Sequence, residues 1–188
     1  MSRTDLDALI RSLLSKAHGR KLNKTQLIKL VFLCDYEHYE TFGETISDLT
    51  YYCAELGPVA WAIPDRAAAM HDVEHEYHPP GLLHPYPEHT YTLAPRASGT
   101  PLSVEEEATV ARAVRNWGGR SAKQLVAIVH SEPFARLLTE GASIDFGRLD
   151  DDPLADAHVQ DAVMSDPELQ ESVARAERQL RTRHETTP

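Results

Sequence analysis

Apolar residues recur at helical spacing from the start of the chain. Leu6, Leu9, Ile10, Leu13, Leu14 and Ala17 follow the i, i+3, i+4, i+7 rule. Thr4 stands where a helix cap belongs and Gly19 where a helix stops. Next, Asn23 with Gln26 three residues later has the form of a capping box. It opens the run from Leu27 to Cys34, apolar almost all round, which predicts a helix buried on several sides, reaching about Thr41 with Gly43 as its stop. Thr45–Ala54, with Ile46, Leu49, Tyr51, Tyr52 and Cys53, suits a short strand, and a helix is the alternative. Gly57-Pro58 reads as the opening of a third helix, because a proline at the first helical position loses no bonded N–H. Val59, Ala62, Ile63 and Met70 would form its apolar face, interrupted by Pro64.

The period then changes. Val73–His78 and Thr90–Leu93 alternate, which predicts a small antiparallel hairpin. Pro79, Pro80, Pro85 and Pro87 mark a surface loop between its strands. Capping boxes recur at Ser103/Glu106, ahead of a helix ending at Trp117, and at Ser121/Gln124, ahead of a helix through His130. Pro133 starts another short helix, stopped by Gly141. Asp152-Pro153 and Asp166-Pro167 look like further helix starts. Leu169, Val173, Ala176 and Leu180 form a narrow heptad seam, suited to one neighbouring helix and hence to a homo-oligomer. The expected class is mainly α: a compact helical globule around a buried central helix, with a small β-hairpin and a C-terminal helical extension. The expected division is a domain over 1–147 and an acidic helical extension over 148–188.

Composition narrows the function. At 188 residues, 41% hydrophobic, the chain is too apolar to stay disordered. Nineteen Lys and Arg against 29 Asp and Glu give −10, which argues against broad binding to nucleic acid. No window approaches the ~18–20 apolar residues of a membrane helix. The acidic start and two isolated cysteines, Cys34 and Cys53, predict a cytoplasmic protein with buried structural thiols. Charge is uneven. Residues 1–29 hold seven bases (Arg3, Arg11, Lys16, Arg20, Lys21, Lys24, Lys29) and two acids, and residues 145–171 hold nine acids and one base. The basic segment makes a DNA-binding transcriptional regulator the alternative function; a solvated face is the plainer explanation. Lys29 lies inside the most apolar helix and must reach water or pair, with Asp35 or an acid from another element as its partner.

Candidate catalytic chemistry is thin. His71-Asp72-Val73-Glu74-His75 fits the inverted zinc-protease pattern, which needs both histidines and the glutamate on one helical face and a third ligand, such as Glu132 or Glu140. The segment runs into a strand-like stretch, so surface histidines are the better reading. Ser121 and His130 stand too far apart on one short helix to act as nucleophile and base, and Ser121 is read as a cap. No catalytic residue, metal or cofactor is therefore expected. Tyr51, Tyr52, Trp61 and Trp117 are core candidates by residue type. Gly57–Trp61 is a recognition candidate as well, because N–H groups left open at a helix start accept a partner's acid or carbonyl.

The stretch Lys21-Leu22-Asn23-Lys24-Thr25-Gln26-Leu27-Ile28-Lys29-Leu30-Val31-Phe32-Leu33-Cys34-Asp35 resembles the opening motif of the Panacea domain, the SocA-like antitoxin domain. Gly43 with Ile46 is similar to its glycine turn, and Gly57-Pro58-Val59 to its Gly-Pro-Val signature. Ser121-Ala122, Leu125 and His130-Ser131-Glu132-Pro133-Phe134 resemble its later block. Ala62-Ile63-Pro64 departs from it, standing where the family extends its helix with an aromatic residue. The resemblance covers about residues 6–147 and implies a non-enzymatic antitoxin that neutralises a cognate protein toxin by direct binding. For some members it implies delivery of the toxin to an AAA+ protease. It implies a shared interface of Lys24, Lys29, Tyr52, Gly57, Pro58, Val59 and Trp61, with His130. The loop 71–89 and the acidic tail would set specificity for one toxin, the tail by imitating phosphate charge.

Overall fold

In a computed structural model of the chain, the described residues are 3–17, 19–81, 86–95, 97, 101–131 and 134–149. All but Leu149 fall within one compact unit, Met1–Arg148. The expected extension over 148–188, its Asp-Pro starts and the seam of Leu169, Val173, Ala176 and Leu180 lie outside the described residues. So do His84, Pro85, Glu132 and Pro133.

Helix α1 (Arg3–Lys16) turns Leu6, Leu9, Ile10, Leu13 and Leu14 inward. Thr4 lies inside it and is not its cap. Strand β1 (Leu22–Asn23) leads into α2 (Lys24–Phe42). The capping box at Asn23 is formed as expected: its side chain accepts from the Gln26 N–H, and the Gln26 side chain accepts from the Asn23 N–H. Gly43 closes the helix at φ 76°, a conformation that costs glycine little. All residues from Leu27 to His38 are buried, so α2 is the axis of the fold. It packs against α1, α3 (Ala62–Ala69), α4 (Val104–Trp117) and α5 (Ala122–Val129). Phe32 anchors an aromatic core, 5.2 Å from Tyr51 and 5.7 Å from Phe146, while Tyr36 sits 4.4 Å from Phe134.

The mainly α expectation is wrong. Among the described residues, five α-helices stand beside five strands in two small sheets, a mixed α/β architecture. The alternating segments pair as read: β4 (Val73–His78) and β5 (Glu88–Leu93) are antiparallel, with His75 opposite Tyr91 and Tyr77 opposite His89. β1 adds a third strand on the far side of β5, Leu22 facing Tyr91. The second sheet pairs β2 (Tyr52–Ala54) with β3 (Gly57–Val59). Gly57-Pro58 therefore forms strand, not helix. Helix α3 begins only at Ala62, which makes Pro64 its third residue. A first-turn N–H has no partner within a helix, so Pro64 does not interrupt it. The capping boxes of α4 and α5 are both formed. No helix among the described residues is long and apolar enough to cross a membrane.

Candidate functional site

The β2–β3 hairpin is built around its glycine and proline. A two-residue turn, Glu55-Leu56, joins the strands, and Gly57 follows it at φ 83°. A Cβ at Gly57 would stand 2.8 Å from Val129 Cγ2 and 3.2 Å from His130 Nε2. Glycine is thus required twice, by the backbone conformation and by the end of α5 pressed against it. Opposite Pro58, Cys53 turns its backbone groups away from β3. Its N–H donates to Ala142 O at 2.9 Å and its carbonyl accepts from Gly141 N at 2.9 Å. Cys53 and Pro58 are thus a pair that exchanges no ladder bonds, and a residue without an N–H fits there at no loss. The Pro58 carbonyl likewise points out of the ladder.

That carbonyl meets Lys29. Lys29 Nζ, carried by the buried face of α2, donates to Pro58 O at 2.6 Å. Among the described residues Lys29 pairs with no acid, neither Asp35 nor one from another element. Asp35 instead accepts from Ser47 N at 2.9 Å, from Ser47 Oγ and from Tyr51 OH at 2.6 Å. Six residues separate the two side chains along α2, so they leave it in different directions. Burial drives the Lys29 ammonium down from 10.5 to about 8, with Cys53 acting in the other direction. Burial likewise pushes Asp35 above the usual carboxylate range, while bonds from Ser47 and Tyr51 pull it back.

Above Lys29 lies a cavity of about 250 Å³, bordered by Lys24, Ile28, Lys29, Leu56, Val59 and Trp61. Trp61 is 59% exposed and Tyr52 50% exposed, so residue type misled the core assignment for both. Tyr51 does sit in the core. Lys24 Nζ rides 4.9 Å from the centre of the Trp61 ring, a cation–π contact between the start of α2 and the start of α3. Lys24, Lys29, Gly57, Val59 and Trp61 thus border one cavity. Pro58 holds Lys29 in it, and His130 is exposed behind Gly57. Tyr52 stands on the same hairpin but outside the cavity wall. Leu56 (54% exposed) and Ile28 were missed; an apolar residue in a tight turn, where polar types prevail, is the signal that points to Leu56.

Other candidates resolve differently. Four bases of the N-terminal segment are engaged within the molecule. Arg11 pairs with Asp72, Lys16 with Glu107 and Lys21 with Glu76, while Arg20 donates to Gly118 O at 3.0 Å. His71 and Asp72 lie in a turn and Val73, Glu74 and His75 in β4, so the helical face required by the inverted zinc pattern does not exist. His75 Nε2 instead approaches His89 Nδ1 at 2.9 Å, within a row of rings that includes Tyr91 and Tyr77. No group of three potential metal ligands comes together among the described residues. Ser121 caps α5, its Oγ accepting from Gln124 N, and both cysteines are buried thiols.

No curated protein and no solved structure matches the chain. Residues 27–135 match the model of the antitoxin SocA-like, Panacea domain. That span takes in α2 from Leu27 onward, the Gly-Pro-Val hairpin, Trp61, both β4 and β5, and the capped helices α4 and α5. The matched segment covers more than half of the sequence, and the chain belongs to the SocA-like antitoxin family with a Panacea domain.

Proposed function

We propose that this chain is the antitoxin of a toxin–antitoxin pair and that it neutralises its cognate toxin by direct binding, without catalysis, through the face made by the β2–β3 hairpin and the start of α3. Membership of the antitoxin family supports the role. The observation that carries the location is the grouping of Trp61, Tyr52 and Leu56, each at least half exposed, on one short stretch. Large side chains left in water cost free energy unless a partner covers them, and buried aromatic anchors dominate protein interfaces. The frame beneath them is rigid: Gly57 is wedged against α5 and Pro58 is tied to α2 through Lys29. An anchor on a fixed frame loses little entropy when it docks. The DNA-binding alternative loses its main support, because most of the basic residues it would use are engaged within the molecule.

Co-expression with the toxin encoded by the adjacent gene tests the reading. The native chain restores growth with toxin levels unchanged, as masking requires. Trp61→Ala loses protection by a factor of about 10–100, in line with a central aromatic anchor. Tyr77→Ala, which removes an exposed aromatic from the other sheet, keeps it. Equal protection by both variants contradicts this location. Toxin that disappears from protected cells contradicts masking and favours delivery to an AAA+ protease.

A further inference from the structure

The cavity beside Trp61 has an unusual chemistry for an apolar recess. An ammonium carries three donors. The one hydrogen bond of Lys29 Nζ among the described residues goes to Pro58 O, and Lys29 is only 3% exposed. Its two remaining donors have no hydrogen-bond partner among the described residues, and Lys29 is one of the residues that border the recess. Lys24 borders the same space and makes no ion pair among the described residues; its charge rests on the Trp61 ring. Glu55 is the one acid on the rim and pairs with neither lysine. The rest of the lining is apolar or neutral: Thr25, Ile28, Ala54, Leu56, Gly57, Val59 and Trp61. Arg11, Lys16 and Lys21 each pair with an acid and Arg20 with a carbonyl, so these two stand apart.

We propose that this recess is the seat of a single carboxylate from the toxin, an aspartate or glutamate side chain next to an apolar residue, with Lys29 and Lys24 receiving the charge and Trp61, Leu56 and Ile28 the apolar neighbour. The proposal rests on the antitoxin reading and names the chemistry of its contact. Charge complementarity selects the occupant: two cations against one carboxylate, in a space of about 250 Å³ that holds an acidic side chain and part of its neighbour. A buried cation with open donors is costly alone and favourable once an anion arrives, because a charge-assisted bond gains strength out of water. The lowered proton affinity of Lys29 agrees with this. An incoming carboxylate raises that affinity, so binding and protonation of Lys29 support one another. Cys53, Lys24 and Glu55 are the other titratable groups near this ammonium.

The test uses a small probe and the full chain. 4-Phenylbutyrate carries a ring and a carboxylate; 4-phenylbutyramide has the same shape without charge. Each is titrated at pH 7 while the amide signals of Gly57 and Val59 and the indole signal of Trp61 are followed by NMR. The acid is expected to bind at least about tenfold more tightly than the amide, as a charge-assisted contact implies. Lys29→Met removes that preference, and in the native chain it fades above the Lys29 titration near pH 8. Equal affinities, no saturable binding of the acid, or a preference that survives in Lys29→Met overturns the proposal. The pH series needs no variant, so the result stands even if Lys29→Met folds poorly. If the probe fails while Trp61→Ala still abolishes neutralisation, the carboxylate seat is wrong and the antitoxin surface remains. If Trp61→Ala leaves neutralisation intact, that surface is wrong whatever the probe does.

Discussion

Helix α2 carries two buried charged side chains, Asp35 and Lys29, and they are treated in opposite ways. Asp35 is fully enclosed and receives three hydrogen bonds, from the Ser47 backbone, the Ser47 hydroxyl and Tyr51. Its acceptors are engaged, so it fastens the 44–51 loop to the central helix and has little left to offer a ligand. Lys29 has one bond, to a carbonyl that a proline signature turned out of its own ladder, and it borders the recess beside Trp61. Burial of a charge is the same expense in both places. A saturated charge secures the fold; on our proposal the one with open donors is kept for a second molecule.

Substitutions can break or sharpen that contrast. The largest effect is expected at Asp35→Ala, which strands two buried hydroxyls and an N–H. Loss of about 3–5 kcal/mol follows from the cost of leaving such groups unpaired, and chemical denaturation measures it. Gly57→Ala comes next. A left-handed conformation and a Cβ at 2.8 Å from Val129 Cγ2 together cost about 2–3 kcal/mol by the same measurement, together with loss of neutralisation.

Lys29→Met is expected to behave unlike both. The unfolded chain holds the Lys29 proton up to about pH 10.5, the folded chain only to about 8, so between these values the unfolded state binds more protons. Native stability therefore gains with rising pH across that window, by roughly 3 kcal/mol at full extent. At pH 7 the penalty for the buried charge is fully present, and Lys29→Met removes it. The variant should match or exceed the native chain at pH 7 and fall behind in relative terms toward pH 10. Denaturation of both proteins at the two pH values reads the difference, and identical slopes would place the ammonium in water. Trp61→Ala is the smallest on stability, within about 0.5 kcal/mol for an exposed side chain, with its main effect on toxin binding.

Much of this frame is legible in the sequence. Three capping boxes fix the starts of α2, α4 and α5, because donor and acceptor lie three residues apart and need no tertiary partner. The alternation at Val73–His78 likewise reports a strand whose two faces differ. The Gly-Pro-Val segment misled because proline fits two places equally well: the first turn of a helix, and a strand position whose N–H is not used. Only the pairing of Cys53 with Gly141 and Ala142 separates them, and it spans nearly ninety residues. Strand β1 is two residues long, too short to show a period. The partner of Lys29 stayed hidden because it is a backbone carbonyl, which every residue carries, whereas Asp35 was visible and near. Trp61 and Tyr52 look like core by type, and their exposure appears only once α3 is known to start after, and not at, Gly57.

Hydrogen–deuterium exchange of the full chain, alone and with its cognate toxin, tests the central claim most directly. Protection concentrated in 24–29 and 52–61 is the predicted footprint. Protection confined to β4, β5 or α4, with the Gly-Pro-Val hairpin and Trp61 exchanging as before, would contradict the account.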